Sequence, residues 1–165
     1  MSTNKYKPHI FVLPEDDANR QIANGFVLDP NLNSRAIQIL LPVGGWNKVV
    51  DEFRHVHASE MHIYSDRMMV LLVDFDNDQQ KRLTDIKKEI PPTLVDRVFI
   101  LGVLSEPEKL RIEINMTLEG IGKALSKDCA DKTQIVWSHD LLRHNETELL
   151  RMISSVKPFL FNCSA

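Results

Sequence analysis

Apolar residues recur along this chain in two alternating rhythms: short runs of the kind that form strands, and stripes at helical spacing. "HIFVL" (His9 to Leu13) is a short run halted by Pro14, the pattern of a strand buried on both faces. "ANRQIANGF" follows with Ile22 and Phe26 four apart, which predicts a helix capped by Asp16 or Asp17 and stopping near Gly25. "AIQILLP" (Ala36 to Pro42) predicts a second strand. After the turn "VGG" a helix is expected from Trp46, with Val49, Val50, Phe53 and Val56 at helical spacing. "RMMVLLVDFD" is the strongest strand pattern, and the charged helix "QQKRLTDIKKEI" after it is stopped by Pro91 and Pro92. "RVFILGV" gives a fourth buried strand, and "EPEKLRIEINMTLEGIGKALSKD" reads as helical. "SHDLLRHNETELLRMISSV" reads as a last amphipathic helix, capped by Ser138, with Leu141, Leu142, Leu149 and Met152 on one side.

Strands alternating with helices predict a three-layer α/β domain whose sheet is mostly parallel, because parallel neighbours need helical crossovers and these are right-handed. The expected strand order is 2-1-3-4. With 165 residues, 43% of them hydrophobic, the chain suits a single domain, 1–165, in which residues 106–165 form a helical C-terminal extension packed on the sheet.

Composition narrows the function classes. Cys129 and Cys163 form no metal-type pair and the N-terminal "MSTNKYKPH" has no apolar core, so the expected setting is reduced and cytoplasmic. "MMVLLV" is too short to span a bilayer, so no membrane partner is expected. A net charge of −3 argues against a sequence-independent grip on nucleic acid, which needs a basic face; a local basic patch is still compatible with it.

In open α/β sheets ligands bind beyond the carboxyl ends of the strands, where strand order reverses. Glu15, Asp16 and Asp17 follow the first strand, and Asp74, Asp76 and Asp78 follow the third. In the order 2-1-3-4 the two clusters face one crevice. Gathered carboxylates raise each other's pKa, and a divalent cation relieves that cost. Oxygen-only ligands favour Mg²⁺ or Mn²⁺ over zinc. Some of these acids have a purely structural use: Asp16 or Asp17 can cap the first helix and Asp78 the helix at "QQKRL". Glu15, Asp74 and Asp76 have no such duty. An EF-hand reading of "DFDNDQQKRLTD" fails, because Gln79 stands where that loop needs Gly and Asp85 where it needs Glu.

"FVLPE" with Glu15, "IQILLPVGGWNKVV" with Gly44 and Gly45, and "VLLVDFD" with Asp74 and Asp76 stand in the order of a known pattern. From about Pro8 to Leu110 the chain resembles the Toprim domain, the fold shared by topoisomerases, bacterial primases, the RNA-processing nuclease M5 and the overcoming-lysogenization-defect nucleases. The resemblance implies Mg²⁺-dependent chemistry on DNA or RNA phosphodiesters, with Glu15, Asp74, Asp76 and Asp78 as metal ligands and Glu15 also as the proton-transfer residue. Some stand-alone members carry a further acid after the next strand, where this chain offers Glu106 or Glu108. Asp16 stands where many members have Gly, and Asn77-Asp78 replaces the glycine after Asp-x-Asp. A second resemblance, of "VLPEDDANR" and "SSVKPF" to a receiver domain, implies Asp74 as phosphoacceptor and Lys157 as its partner. The alternatives to an enzyme are therefore a receiver-like module or a catalytically lapsed Toprim module, with a homodimer or protein partner left open.

The remaining candidates read as structural. His55, His57 and His62 near Glu60 are expected to be solvated, with His62 past the end of its helix. His139 and His144 are five apart, off the four-residue step of a helical zinc pair, and are expected at the surface or an interface, with a substrate contact left open. Lys48 is expected to be solvated, and "KRLTDIKKE" to be a solvated helix face.

Overall fold

The computed structural model describes residues 3–162, so Cys163 lies outside the described residues. Four strands, β1 (His9–Pro14), β2 (Ile37–Ile39), β3 (Arg67–Leu72) and β4 (Val98–Leu101), form one all-parallel sheet in the order β2-β1-β3-β4. Among the described residues seven α-helices flank it: α1 (Asp17–Phe26), α2 (Trp46–Glu52), α3 (Ala58–Ile63), α4 (Gln79–Lys87), α5 (Pro107–Ile114), α6 (Leu118–Asp131) and α7 (Glu146–Leu160).

The strands read as unbroken apolar runs because both sheet faces are covered, and their side chains alternate between two cores. Ile10, Val12, Val70, Phe99 and Leu101 point into one core with residues of α1, α6 and α7. Leu13, Met69, Leu71, Val98 and Ile100 point into the other, with Val49, Phe53, Met61 and Ile86 of the opposite helices. Residues 106–162 supply α5, α6 and α7 to the first layer, where α6 lies along α1 and α7 packs on β4 and β1.

Gly25 lies where α1 is expected to stop, one residue before its end at Phe26, but does not cap it: the C-cap is Val27. The glycine's role is contact. A Cβ on Gly25 would come within 1.9 Å of the Glu119 carbonyl oxygen, and one on Gly122 within 1.9 Å of that of Ile22. The two glycines thus let α1 and α6 touch backbone to backbone.

The outer edge of β4 is closed by side chains of α7 and the turn before it. Glu148 accepts from the Ile100 N–H at 3.0 Å, Arg151 donates to the Val98 carbonyl at 3.0 Å, and Asn145 both accepts from the Gly102 N–H and donates to its carbonyl. Residues three apart on the helix side thus meet residues two apart on the strand, and the N–H groups of Ile100 and Gly102 and the carbonyls of Val98 and Gly102 are satisfied without another strand.

Several elements differ from expectation. A π-helical turn, Phe53–His57, joins α2 to α3. Its extra residue rotates the stripe, leaving Val56 exposed and burying His57 in its place. His62 lies inside α3 and bonds the Thr93 hydroxyl. The helix expected over 106–128 breaks at Asn115, which is left-handed, and restarts at Leu118 under a Thr117 cap. The helix expected from Ser138 begins only at Glu146. Before it the chain wraps the buried Asp128 carboxylate, which accepts from the Thr133 hydroxyl and from the N–H groups of Val136 and Trp137. Cys129 is a free buried thiol, its pKa pushed up to about 12 chiefly by burial. Among the described residues no helix is long and apolar enough to cross a membrane.

Candidate functional site

Parallel pairing of β1 with β3, in register Pro14 to Leu72, brings Glu15 and Asp74 out at the same end of the sheet. The Glu15 backbone N–H donates to the Leu72 carbonyl, and the Glu15 carboxylate accepts from the Asp74 N–H at 2.7 Å. Beyond β3 the chain keeps its hold on β4, through Val73 N–H to the Leu101 carbonyl and Phe75 N–H to that of Val103. Asp74 lies between these two anchors. The glycine turn closes a third side: Gly44, at φ +92°, donates its N–H to the Glu15 carbonyl at 2.7 Å.

Two residues that had no role in the sequence reading organise the acids. Asn19, fully buried on α1, donates through Nδ2 to Asp16 at 3.0 Å and to Asp74 at 2.9 Å. It sits three and four residues before the buried Ile22 and Ala23, and a polar side chain on the apolar stripe is the one sequence signal that marks it. Arg82 of α4 donates to the Asp74 carbonyl at 2.6 Å and to the Asp76 carboxylate at 3.1 Å, with its guanidinium 4.5 Å from the Trp46 ring centre. That helix face is therefore not simply solvated.

Burial raises the Asp74 carboxyl to about pKa 7, against the stabilising Asn19 hydrogen bond and with help from the charges of Asp16, Glu15 and Asp76. Glu15 is likewise raised by burial, the Asp74 N–H opposing it, Asp16 and Asp76 adding to it and Arg82 reducing it. Four carboxylates are thus electrostatically one group, and Asp16 joins it even while capping α1 through the Asn19 N–H. Each of Glu15, Asp16, Asp74 and Asp76 engages one carboxylate oxygen; the other makes no protein hydrogen bond among the described residues.

The other acids stand apart. Asp78 is exposed and caps α4 by accepting from the Lys81 N–H at 3.4 Å. Glu106 and Glu108 are exposed at the start of α5. The turn after Asp74 explains the missing glycine: Asp76 and Asn77 have φ of +49° and +63°, and Asn is among the few side chains that adopt the left-handed region readily.

His55 and His62 are exposed, as expected, but His57 and His144 are not. His57 is buried, and its Nδ1 has no partner. His144 is half-buried, its Nε2 at 2.7 Å from the Gly102 carbonyl and its ring edge-on to Phe75, between Asp74 and Asp76. His139 accepts from the Leu141 N–H through Nδ1. Lys157 lies on α7, where its charge acts on the Cys129 thiol.

Among the described residues no group of three or more His, Cys, Asp or Glu side chains is arranged to hold a metal ion. Comparisons with family models, with curated proteins and with solved structures find no match.

Proposed function

We propose that the crevice at the carboxyl ends of β1 and β3 takes Mg²⁺ or Mn²⁺ and that the chain acts as a Toprim-like protein on nucleic-acid phosphodiesters. The observation that carries this reading is the coupled acid pair: Glu15 bonded to the Asp74 backbone, with the Asp74 carboxyl raised to about pKa 7. Buried carboxylates that disfavour their own charge are a functional-site signature, and a cation is what relieves them.

The donor set fits a hard divalent ion in atom type and charge. Asp74, Asp76 and Glu15 would hold it; Asp78, expected as a further ligand, stands apart as the cap of α4. A bound ion would supply polarisation of the phosphate and stabilisation of the attacking or leaving oxygen. Glu15, its pKa raised chiefly by burial, would be the proton-transfer residue. Asn19 keeps Asp74 oriented, and Arg82 supplies a positive edge for a phosphate.

A catalytically lapsed binding module is the second reading, favoured by Arg82, which already partners Asp76. A receiver-like module is less well supported, since Lys157 lies by Cys129.

The test is cleavage of single- and double-stranded DNA and RNA with Mg²⁺ or Mn²⁺. We expect metal-dependent cleavage that Asp76→Asn reduces at least about tenfold, the scale of losing a directly acting charged group. A metal-induced rise in melting temperature without cleavage would favour the lapsed module, and no response to either metal would end the proposal.

A further inference from the structure

At the amino end of the sheet, opposite the acidic crevice, two buried basic side chains meet. His9 opens β1 and Arg67 opens β3, side by side in the sheet register. Their partners fix the state of the ring. A guanidinium only donates, so the His9 Nε2 that Arg67 Nε meets at 2.9 Å is a bare acceptor, and the Nδ1 at 2.7 Å from the Lys7 carbonyl carries the hydrogen. His9 is therefore neutral, with both nitrogens spent. Arg67 also donates to the exposed Glu60 carboxylate at 2.6 Å, and its guanidinium lies 4.2 Å from the Phe11 ring centre and 4.8 Å from that of Tyr64. On Tyr64 the chain before β1 takes hold: the Lys5 ammonium is 5.2 Å from its ring centre and the Tyr6 ring stands edge-on at 6.1 Å. Residues 3–8 thus cross the sheet end as a strap. Among the described residues its other outside bonds are two at 3.3 Å, from the Asn4 N–H to the Arg35 carbonyl and from the Thr3 hydroxyl to Gln38. A cleft of about 390 Å³, lined by Thr3, Asn4 and Lys7 on one side and Asn33 and Arg35 on the other, separates it from the turn before β2.

We propose that the His9–Arg67 pair is a proton-operated latch on this strap: a proton taken up at His9 Nε2 expels the Arg67 guanidinium, and the strap lifts from the sheet. The added N–H would point at the Arg67 Nε–H and set two cations about 2.9 Å apart, out of water. His9 cannot yield, because its backbone belongs to β1 and its Nδ1 is held by Lys7. Arg67 can, because the Glu60 carboxylate receives it on the solvent side. Its departure removes the cation stacked on Tyr64, and with that the ring on which Lys5 and Tyr6 rest loses its support. The surrounding groups set the working range. Burial chiefly, and the Arg67 charge, oppose the proton, while the Lys7 carbonyl and Asp66 favour it, so the latch opens below about pH 6.5, the value of a free imidazole. His57, which feels Arg67 together with Glu52 and Glu60, is the other titrating group at this end. Arg97 adds a fixed charge, donating to the Tyr64 and Arg67 carbonyls. The latch does not depend on what the crevice binds.

The test is an NMR titration of the full chain from about pH 7.5 to about pH 5, the range in which histidines change charge. We expect the Arg67 Nε–H signal to be lost with the midpoint of the His9 ring. The cross-relaxation between the Tyr6 and Tyr64 rings should vanish at that same midpoint, while the backbone amide signals of β3 and β4 persist, which separates release of the strap from unfolding. His9→Gln, which keeps an uncharged acceptor facing Arg67, should hold the two tyrosine rings together over the whole range. His57→Gln should leave the wild-type response in place. The proposal is overturned if the Arg67 and tyrosine signals stay unchanged while His9 titrates, if they follow the His57 ring instead, or if His9 takes up its proton only as the sheet unfolds.

Discussion

At the scale of single residues the molecule turns on Asp74. Its pKa is raised to about 7 from a value near 4 in the unfolded chain. The folded state therefore resists the charged form: the group costs stability as pH rises from about 4 through 7, and costs nothing below 4. Asp74→Asn should stabilise the metal-free protein at pH 8 by about 1–3 kcal/mol, a rise of a few degrees in melting temperature, and the gain should vanish near pH 4. Thermal melts across that range check it; destabilisation at pH 8 would make Asp74 a structural residue. Saturating Mg²⁺ should narrow the difference, since ligand at a hundred times its Kd adds about 2.7 kcal/mol to the wild type. Glu15, Asp74 and Asp76 could be picked out from sequence because each follows an apolar run at the ligand end of the sheet. Asn19 and Arg82 could not, because their partners lie on other elements and nothing local distinguishes a buried Asn or a pairing Arg from a solvated one.

Among the elements, the α1–α6 contact is a tight constraint, since it admits no Cβ at Gly25 or Gly122. Gly122→Ala should destabilise by about 2 kcal/mol or more, because backbone must move to relieve the overlap. Urea melts measure this, and a change within 0.5 kcal/mol would show that the helices separate easily. The strands and their order were readable because buried parallel strands are continuous apolar runs. The helices were less so. At Phe53–His57 one extra residue per turn broke the stripe that made Val56 look buried, and no composition signal marks a π turn. The segment before α7 carries helix-like spacing, yet Asp128 captures its backbone N–H groups first. Asn145 and Glu148 read as polar helix positions until β4 is seen beside them.

For the whole molecule, two sets of titrations oppose each other. His9, His57 and His144 all have pKa values lowered, chiefly by burial. Their contribution is intact above about pH 6.5 and is lost as pH falls, just where Asp74 begins to regain stability. The wild type should therefore hold a shallow profile between pH 4 and 7, and Asp74→Asn a steeper acid decline. Parallel profiles for the two proteins would mean that the groups do not offset each other. Glu148 adds to the acid side: burial alone would raise its pKa, but Lys87, Arg151 and the Ile100 N–H together lower it. The stability it provides is present above about pH 4.3 and lost below. Glu148→Ala should cost about 3 kcal/mol, the scale of breaking a buried ion pair. The same residue gives the chain an order of assembly. A strand edge satisfied by α7, which follows it in the chain, stays open during synthesis until that helix has left the ribosome, so the sheet spends that interval with a sticky margin. A chain truncated after His144 should accordingly associate through β4 into β-rich aggregates rather than unfold as a monomer, and adding a peptide spanning residues 145–162 should suppress that association.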